Sequence, residues 1–174
     1  RDQSHVGSAL EAIRTLHKSG ASSPWQFDFY EEGCRIADLL RAEGTPLPED
    51  FEELALMSAS LQQPMRAGAG APVLCHNDFF GPNILIGPDG TCLIDWEYAA
   101  MGDYGCDLGN FIAQGSGYNV KEALNVLPLY FGRPATAEEE EHLLACTAIV
   151  GWYWYVWGLY KEAQGSPVGE WLRV

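Results

Sequence analysis

The chain has 174 residues, of which 24 are Asp or Glu and 10 are Lys or Arg, so its formal net charge is −14. Because Lys and Arg drive binding to phosphates, this balance argues against a nucleic acid or an anionic membrane surface as a partner, and an acidic surface would attract a cationic ligand. A hydrophobic content of 47% excludes a disordered chain, and the length suits one domain with a sizeable core.

The cysteines are odd in number, widely scattered and without CxxC or metal-ligand spacing. This usage is typical of reduced, mostly buried thiols, and no basic-then-apolar signal segment is present, so we expect a cytoplasmic protein. The five residues are Cys34, Cys75, Cys92, Cys106 and Cys146.

Apolar residues at helical spacing predict three helices in the first part of the chain. They cover residues 5–17, residues 27–43, and a stretch from Phe51 that ends before Pro64. The Ala/Gly-rich residues 67–72 predict a flexible connection. These segments indicate a scaffold and show no pattern that points to chemistry.

Short apolar runs at 73–75, 83–86 and 91–95 predict strands. Between the last two, Gly87-Pro88-Asp89-Gly90 predicts a hairpin with a three-residue loop, Pro88–Gly90. With that loop, Asn83 lies directly opposite Asp95 and both side chains share one face of the hairpin. A change of one residue in loop length would place them on opposite faces.

Further helices are predicted from Asp107 to about Gln114, near residues 120–131, and from about Ala137 to Gln164. Within the last, residues 143–160 form an 18-residue run without a charge, which reaches the lower limit for crossing a bilayer. Its Trp and Tyr residues cluster in the second half rather than at both ends, which favours a buried helix over a membrane span. The predicted fold class is therefore α+β, mainly helical, with a small β-hairpin.

One set of polar residues around the hairpin points to chemistry. His76, Asp78 and Asn83 fit the pattern HxDxxxxN, and Asp95 follows twelve residues after Asn83. Metal-assisted phosphoryl transfer requires one group that takes the proton of the acceptor hydroxyl and oxygen ligands that hold Mg²⁺ on the phosphates. An isolated Asp or Asn on a loop is usually a turn former, but the spaced set indicates Asp78 as the base and Asn83 and Asp95 as Mg²⁺ ligands.

The segments CHNDFFGPNIL, LIDWEYA and GDYGCDLGNF resemble the C-terminal lobe of the choline kinase and aminoglycoside phosphotransferase superfamily. Within it, the chain is most similar to the LicA-type choline kinases and the eukaryotic choline/ethanolamine kinases. The likeness covers about residues 5–165, with the specific motifs at 75–110. It implies the larger lobe of a protein-kinase-like fold over residues 1–174.

By this resemblance, Asp78, Asn83 and Asp95 have the same roles that their spacing suggests. His76 and Asn77 would support the catalytic loop. Asp107 matches a residue that starts the following helix, and we expect it to be an N-cap or to brace the loop rather than to contact substrate.

The resemblance also implies a site for a cationic acceptor. Trp154 and Trp157 share one helical face, and in choline kinases a Trp-xx-Trp at this point forms part of an aromatic box around the quaternary ammonium group. The plain alternative is that both rings are core. Gln114 stands where the eukaryotic choline kinases carry a Glu, which weakens choline in particular, while Tyr118 could supply a ring and Glu97 a negative charge.

We therefore expect an ATP-dependent phosphotransferase whose acceptor is a small cationic alcohol, most simply choline. A thiamine or aminoglycoside kinase is the alternative within the same class. A non-catalytic module that binds quaternary ammonium groups is the third hypothesis.

The parts that cover the nucleotide phosphates in such enzymes, a Gly-rich strand-loop-strand and an early-strand Lys with a partner Glu, are not found in these residues. The only lysines are Lys18, Lys121 and Lys161, all in predicted helices or at their ends. We expect the nucleotide lobe to precede Arg1 and the chain alone to bind ATP poorly.

Overall fold

The computed structural model describes residues 3–115 and 117–169. Within these ranges the helices are α1 (Gln3–Lys18), α2 (Phe29–Ala42), α3 (Phe51–Gly68), α4 (Tyr104–Ala113), α5 (Val120–Leu124), α6 (Val126–Phe131) and α7 (Ala137–Ala163). The strands are β1 (Val73–Cys75), β2 (Ile84–Gly87), β3 (Gly90–Leu93) and β4 (Ala100–Gly102). The fold is mainly helical with two antiparallel strand pairs, β1 with β4 and β2 with β3, and the predicted fold class is confirmed.

Helix α7 is the centre of the structure. Thr136 caps its start and forms a reciprocal capping box with Glu139, and the acidic side chains of the first turn favour the positive end of the helix. The helix packs against α2, α3 and α4 and carries most of the first core cluster, in which Ile149 and Val156 are fully buried. Although α7 is long and apolar enough to cross a membrane, 56% of that apolar window is buried against other parts of the structure, as in the core helix of a folded domain.

A second core cluster lies where α1 packs against α6 and the strands. Leu10 and Ile13 of α1 are fully buried there with Leu127 of α6 and Leu108 of α4. Phe79, from the loop that follows β1, is also fully buried and stacks on Phe111 of α4 at 5.3 Å. One side of the candidate catalytic loop is therefore anchored in this cluster.

Helix α3 does not stop before Pro64 as predicted but continues to Gly68 with the proline inside it. The reason is a contact distant in sequence: the Met65 carbonyl accepts a hydrogen bond from Nδ1 of His142 on α7, at 2.9 Å. Met65 itself is buried in the first core cluster. Tertiary packing thus outweighs the cost of a proline in a helix interior, and the predicted flexible connection is shortened to residues 69–72.

The segment before α4 also differs from the prediction. Helix α4 begins at Tyr104 rather than at Asp107, and its N-cap is Asp103, whose side chain accepts from the Gly105 N–H at 2.8 Å. Asp107 is therefore not an N-cap. The segment before this helix contains β4, a strand that was not predicted and that pairs with β1 over residues far apart in sequence. The predicted helix at 120–131 divides into α5 and α6 at Asn125.

The predicted hairpin is present, but the predicted strand register was wrong by one residue. Gly87 pairs with Gly90, so the loop has the two residues Pro88 and Asp89, and Ile84 pairs with Leu93. Asn83 consequently lies opposite Ile94, whose N–H donates to the Asn83 carbonyl at 3.0 Å. Asn83 and Asp95 are not directly opposed strand residues; Asn83 ends a one-turn 3-10 helix, Gly81–Asn83.

Two helical glycines make a matched test of how closely α4 approaches α7. A Cβ on Gly109 would lie 3.1 Å from backbone atoms of Cys146 and Thr147, whereas a Cβ on Gly151 meets nothing within 4 Å. Both Gly→Ala changes gain the same helix propensity, so Gly151→Ala should stabilise the protein by about 0.5–1 kcal/mol. Gly109→Ala should instead destabilise it by about 1–3 kcal/mol because backbone must shift, as measured by urea unfolding. Equal stabilisation by both would contradict the close packing.

Candidate active site

The catalytic loop is held by one buried carboxylate. Oδ1 of Asp107 accepts the Asn77 N–H at 2.7 Å, and Oδ2 accepts the His76 N–H at 2.9 Å. Asp107 lies in the first turn of α4 and is fully buried. Each oxygen thus accepts one of two consecutive backbone N–H groups. These two bonds fix the chain that leaves β1 against α4.

The same carboxylate reaches α1 and α6 through a histidine. Nε2 of His17 lies 2.9 Å from Oδ2 of Asp107, and Nδ1 lies 2.8 Å from the hydroxyl of Tyr130. The His17 and Asp107 side chains are 2% and 0% exposed, so water does not compete for these bonds. Burial raises the pKa of Tyr130, which keeps its hydroxyl protonated and able to donate to His17.

Two left-handed residues border the site. Asn77 has φ 62° and Asp95 has φ 64°, the two positive values found among the described residues other than glycine. Asn and Asp tolerate this conformation better than most side chains. Nδ2 of Asn77 donates to the Tyr98 carbonyl at 2.9 Å, so the loop that carries Asp78 and the loop after β3 are joined.

Asp78 lies at the centre of the site, half-buried, with both carboxylate oxygens held. Nδ2 of Asn83 donates to Oδ2 at 2.8 Å, and Nε2 of Gln114 donates to Oδ1 at 3.2 Å. Burial raises the pKa of Asp78 above its usual value and the nearby charge of Asp95 adds to this, while the two amide donors and His76 act in the opposite direction. The carboxylate is thus a stronger base than an exposed Asp.

The positions of Asn83 and Asp95 follow from their backbone neighbours. Ile94 receives Nε2–H of His76 on its carbonyl at 2.8 Å and donates its own N–H to Asn83, so the residue before Asp95 is fixed from two sides. The ring of His76 also lies 4.7 Å from that of Trp96. This places the exposed Asp95 carboxylate near Asp78.

The residues predicted as Mg²⁺ ligands offer suitable donor atoms. The amide nitrogen of Asn83 donates to both the carbonyl and the carboxylate of Asp78, which turns its amide oxygen to the other side. Asp95 offers a solvent-exposed carboxylate. An amide oxygen and a carboxylate are the hard oxygen ligands that Mg²⁺ prefers, with the rest of its coordination taken by water and phosphate.

The tryptophan pair forms part of an aromatic cluster with Tyr98. The rings of Trp154 and Trp157 are 5.5 Å apart at 78°, and Tyr98 lies edge-on to Trp154 at 5.7 Å. Burial raises the pKa of Tyr98, and its interaction with the Trp157 side chain acts in the opposite direction. Trp154 is only 7% exposed, whereas Trp157 is partly exposed with Nζ of Lys161 5.3 Å from its ring. Trp157 and Tyr98 therefore present more ring surface than Trp154.

The other residues predicted to contact the acceptor are dispersed. Gln114 is partly exposed and donates to Asp78. Tyr118 packs on Phe111 at 6.1 Å, in the second core cluster. Glu97 is exposed beside Tyr98, and its negative charge adds to the burial that raises the pKa of that tyrosine.

Asn110, a fully buried residue that was not predicted from the sequence, links Asn77, Gln114 and Trp154. A signal was present, because Asp107, Asn110 and Gln114 are spaced three and four residues apart and form a polar stripe on a helix that is otherwise apolar. His17 and Tyr98 gave no such signal, since their partners are distant in sequence.

Comparison with known proteins shows the family of this chain. Residues 2–139 match the phosphotransferase enzyme family APH, and the chain belongs to that family. The protein LicA of Haemophilus influenzae is 27% identical over 106 residues, which cover 55% of this chain and 38% of LicA.

Solved structures of choline kinases share the fold. A crystal structure of the choline/ethanolamine kinase family protein from Mesorhizobium loti superposes with a TM-score of 0.83 and 26% identity, covering 98% of this chain and 57% of that one. Choline kinase LicA from Streptococcus pneumoniae gives a TM-score of 0.81 at 23% identity, over 98% of this chain and 60% of its own. The chain thus spans well under two thirds of these relatives and matches the C-terminal lobe of the choline kinase structures.

Replacing Asp107 by Asn tests the loop anchor. The variant turns an NH₂ group toward at least one of the three donors that the carboxylate accepts, so a buried donor is left unpaired. We expect a loss of about 3 kcal/mol in the free energy of unfolding. Asp38→Asn is the control, because the Asp38 side chain is 75% exposed and pairs only on the surface with Arg41, and it should change stability by less than about 0.5 kcal/mol. Similar small losses for both would contradict the anchoring role.

Proposed function

We propose that the complete protein transfers the γ-phosphate of ATP to the hydroxyl of a small cationic alcohol, most simply choline. The observation that carries this proposal is the arrangement around Asp78. A carboxylate with a raised pKa is held between Asn83 and Gln114 and lies close to Asp95. Membership in a phosphotransferase family supports the same reaction class.

Asp78 is the general base in this proposal. Its oxygens are fixed by one donor each, and a carboxylate oxygen has a second lone pair for the acceptor hydroxyl. The acceptor oxygen becomes a better nucleophile as its proton moves to Asp78. The raised pKa of Asp78 favours this step, since a base closer in pKa to the working pH takes a proton more readily.

Asn83 and Asp95 are the residues that would hold Mg²⁺. Bound there, the ion would supply charge neutralisation on the phosphates. Asn83 has a second function that needs no metal, because its amide nitrogen fixes the orientation of Asp78.

The cationic acceptor would lie against Trp157 and Tyr98. Aromatic faces attract a desolvated ammonium group with roughly 2 kcal/mol or more in favourable geometry. The overall charge of −14 favours the approach of such a cation. Polycationic aminoglycosides would need several carboxylates, whereas compact quaternary ammonium groups suit an aromatic cluster, and the names of the relatives, choline and choline/ethanolamine kinases, agree with this choice.

ATP is the proposed phosphate donor. LicA has been crystallised in complex with AMP, which supports a nucleotide as the partner of this family. A Gly-rich strand-loop-strand and an early-strand Lys, which usually cover the phosphates, are not found in this sequence. Activity is therefore tested on the complete gene product.

The function is tested by ADP release from the complete gene product with ATP, Mg²⁺ and four acceptors: choline, ethanolamine, thiamine and an aminoglycoside. We expect choline to give the highest kcat/KM, because it combines a hydroxyl with a compact cation. A preference for thiamine or the aminoglycoside would replace choline as the acceptor. Negligible turnover with all four would contradict the proposed activity.

The aromatic cluster is tested in the same assay with Trp157→Leu. Loss of roughly 2 kcal/mol of cation–π attraction should raise the choline KM by roughly 30-fold and change kcat much less. Trp25→Leu is the control, since Trp25 is 73% exposed and should leave both constants unchanged. An unaltered KM in Trp157→Leu would exclude Trp157 from the acceptor site.

A further inference from the structure

A continuous line of hydrogen bonds joins the aromatic cluster to the proposed base. Nε1 of Trp154 donates to Oδ1 of Asn110 at 2.7 Å. Nε2 of Gln114 donates to the same oxygen at 3.0 Å and to Oδ1 of Asp78 at 3.2 Å. The path therefore runs from α7 through two amides of α4 to the catalytic loop.

Asn110 has a fixed orientation in this line. Its Nδ2 donates to the carbonyls of Asn77 and Cys106, at 3.2 and 3.1 Å, while its Oδ1 accepts from Trp154 and Gln114. A flipped amide would turn its oxygen toward two carbonyls and its NH₂ toward two donors. Because the residue is fully buried, no water could repair those mismatches, and Asn110 acts as a rigid bracket.

Gln114 is constrained in the same way. Both of its partners, Oδ1 of Asn110 and the carboxylate of Asp78, are acceptors, so both hydrogens of its NH₂ group are used. A Glu at this position could donate to neither and would turn a second carboxylate toward Asp78. The glutamine is therefore required by the base and by Asn110, and it is not a substitute for a carboxylate that binds the acceptor.

We propose that Gln114 is a positioning residue that fixes the rotamer of Asp78 and, through Asn110, ties it to Trp154 of the aromatic cluster. The expected effect on kcat rests on the proposed function, whereas the line of hydrogen bonds does not. The geometry makes the acceptor's cation site and the base one rigid unit, so that an alcohol bound at the cluster presents its hydroxyl to a carboxylate already in place.

The kinetic test uses Gln114→Leu and Gln114→Glu in the complete gene product. Both remove a donor from Asp78, so kcat should fall roughly tenfold to a hundredfold while the choline KM changes less than about threefold. Gln164→Leu is the control, because the Gln164 side chain is exposed and donates to the surface residue Glu43, and it should leave kcat unchanged. An unchanged kcat in Gln114→Leu, or a rise in KM without a fall in kcat, would overturn the proposal.

A second variant separates the line of hydrogen bonds from the aromatic contact. Trp154→Phe keeps a ring but lacks the indole N–H, so it should lower kcat in the same direction as Gln114→Leu. The double variant should then be no worse than Gln114→Leu alone, as expected for residues that act through one path. Additive losses in the double variant would contradict a shared path.

A spectroscopic readout distinguishes failure of this inference from failure of the proposed activity. In ¹H–¹⁵N spectra, the Trp154 indole N–H resonance, assigned by its loss in Trp154→Phe, should shift in Gln114→Leu and in Asp78→Ala. It should remain in place in Gln164→Leu. This result is expected whether or not the wild-type protein phosphorylates choline. An unchanged chemical shift of the indole N–H in Asp78→Ala would show that Asp78 and the aromatic cluster are not coupled.

Discussion

The buried carboxylate of Asp107 is the interaction on which the rest of the site depends. It accepts the backbone N–H groups of His76 and Asn77 and bonds to His17. A buried polar group is stable only when its lone pairs are occupied by donors, and here three donors from α1 and the loop meet that need. These hydrogen bonds fix the start of the candidate catalytic loop against α4.

The geometry of the proposed base follows from this anchor. With Asn77 held in a left-handed conformation and His76 bonded to Ile94, the loop presents Asp78 toward Asn83, Gln114 and Asp95. Burial raises the pKa of Asp78, and the two amide donors offset this rise only in part. The net result is a carboxylate of increased basicity in a single orientation, the combination that general-base catalysis requires. Helix α7 adds the aromatic cluster and closes the first core cluster behind it.

Features that depend on residues close together in the sequence were predicted, and features that depend on contacts between distant residues were not. The long helices α1, α2 and α7 were predictable because periodicity and the Thr136 cap are local. The hairpin was predicted with the wrong register, since Gly87-Pro88-Asp89-Gly90 is compatible with a loop of two or three residues and no neighbouring residue distinguishes them. The extension of α3 through Pro64 depends on His142, 77 positions away from Met65, and no local pattern reports such a contact.

The candidate site shows the same difference between features that are local in sequence and contacts between distant residues. The spacing predicted that Asp78, Asn83 and Asp95 lie together, and they do so through a 3-10 turn and a left-handed Asp rather than as opposed strand positions. The resemblance to choline kinases predicted Gln114 at the acceptor site, and the structure adds a contact that the sequence did not predict, from the Gln114 amide to Asp78. The place of Tyr98 in the aromatic cluster was not predicted, because its ring partners Trp154 and Phe27 are distant in sequence.

The central claim is that Asp78 removes the acceptor's proton in phosphoryl transfer, and formation of phosphocholine from ATP and choline, followed by ³¹P NMR, tests it most directly. The complete gene product should form phosphocholine, and its Asp78→Asn variant should bind choline but form none within the detection limit. Asp89→Asn, in the exposed hairpin turn, should match the wild type. Phosphocholine formation by Asp78→Asn at a rate near that of Asp89→Asn would contradict the claim.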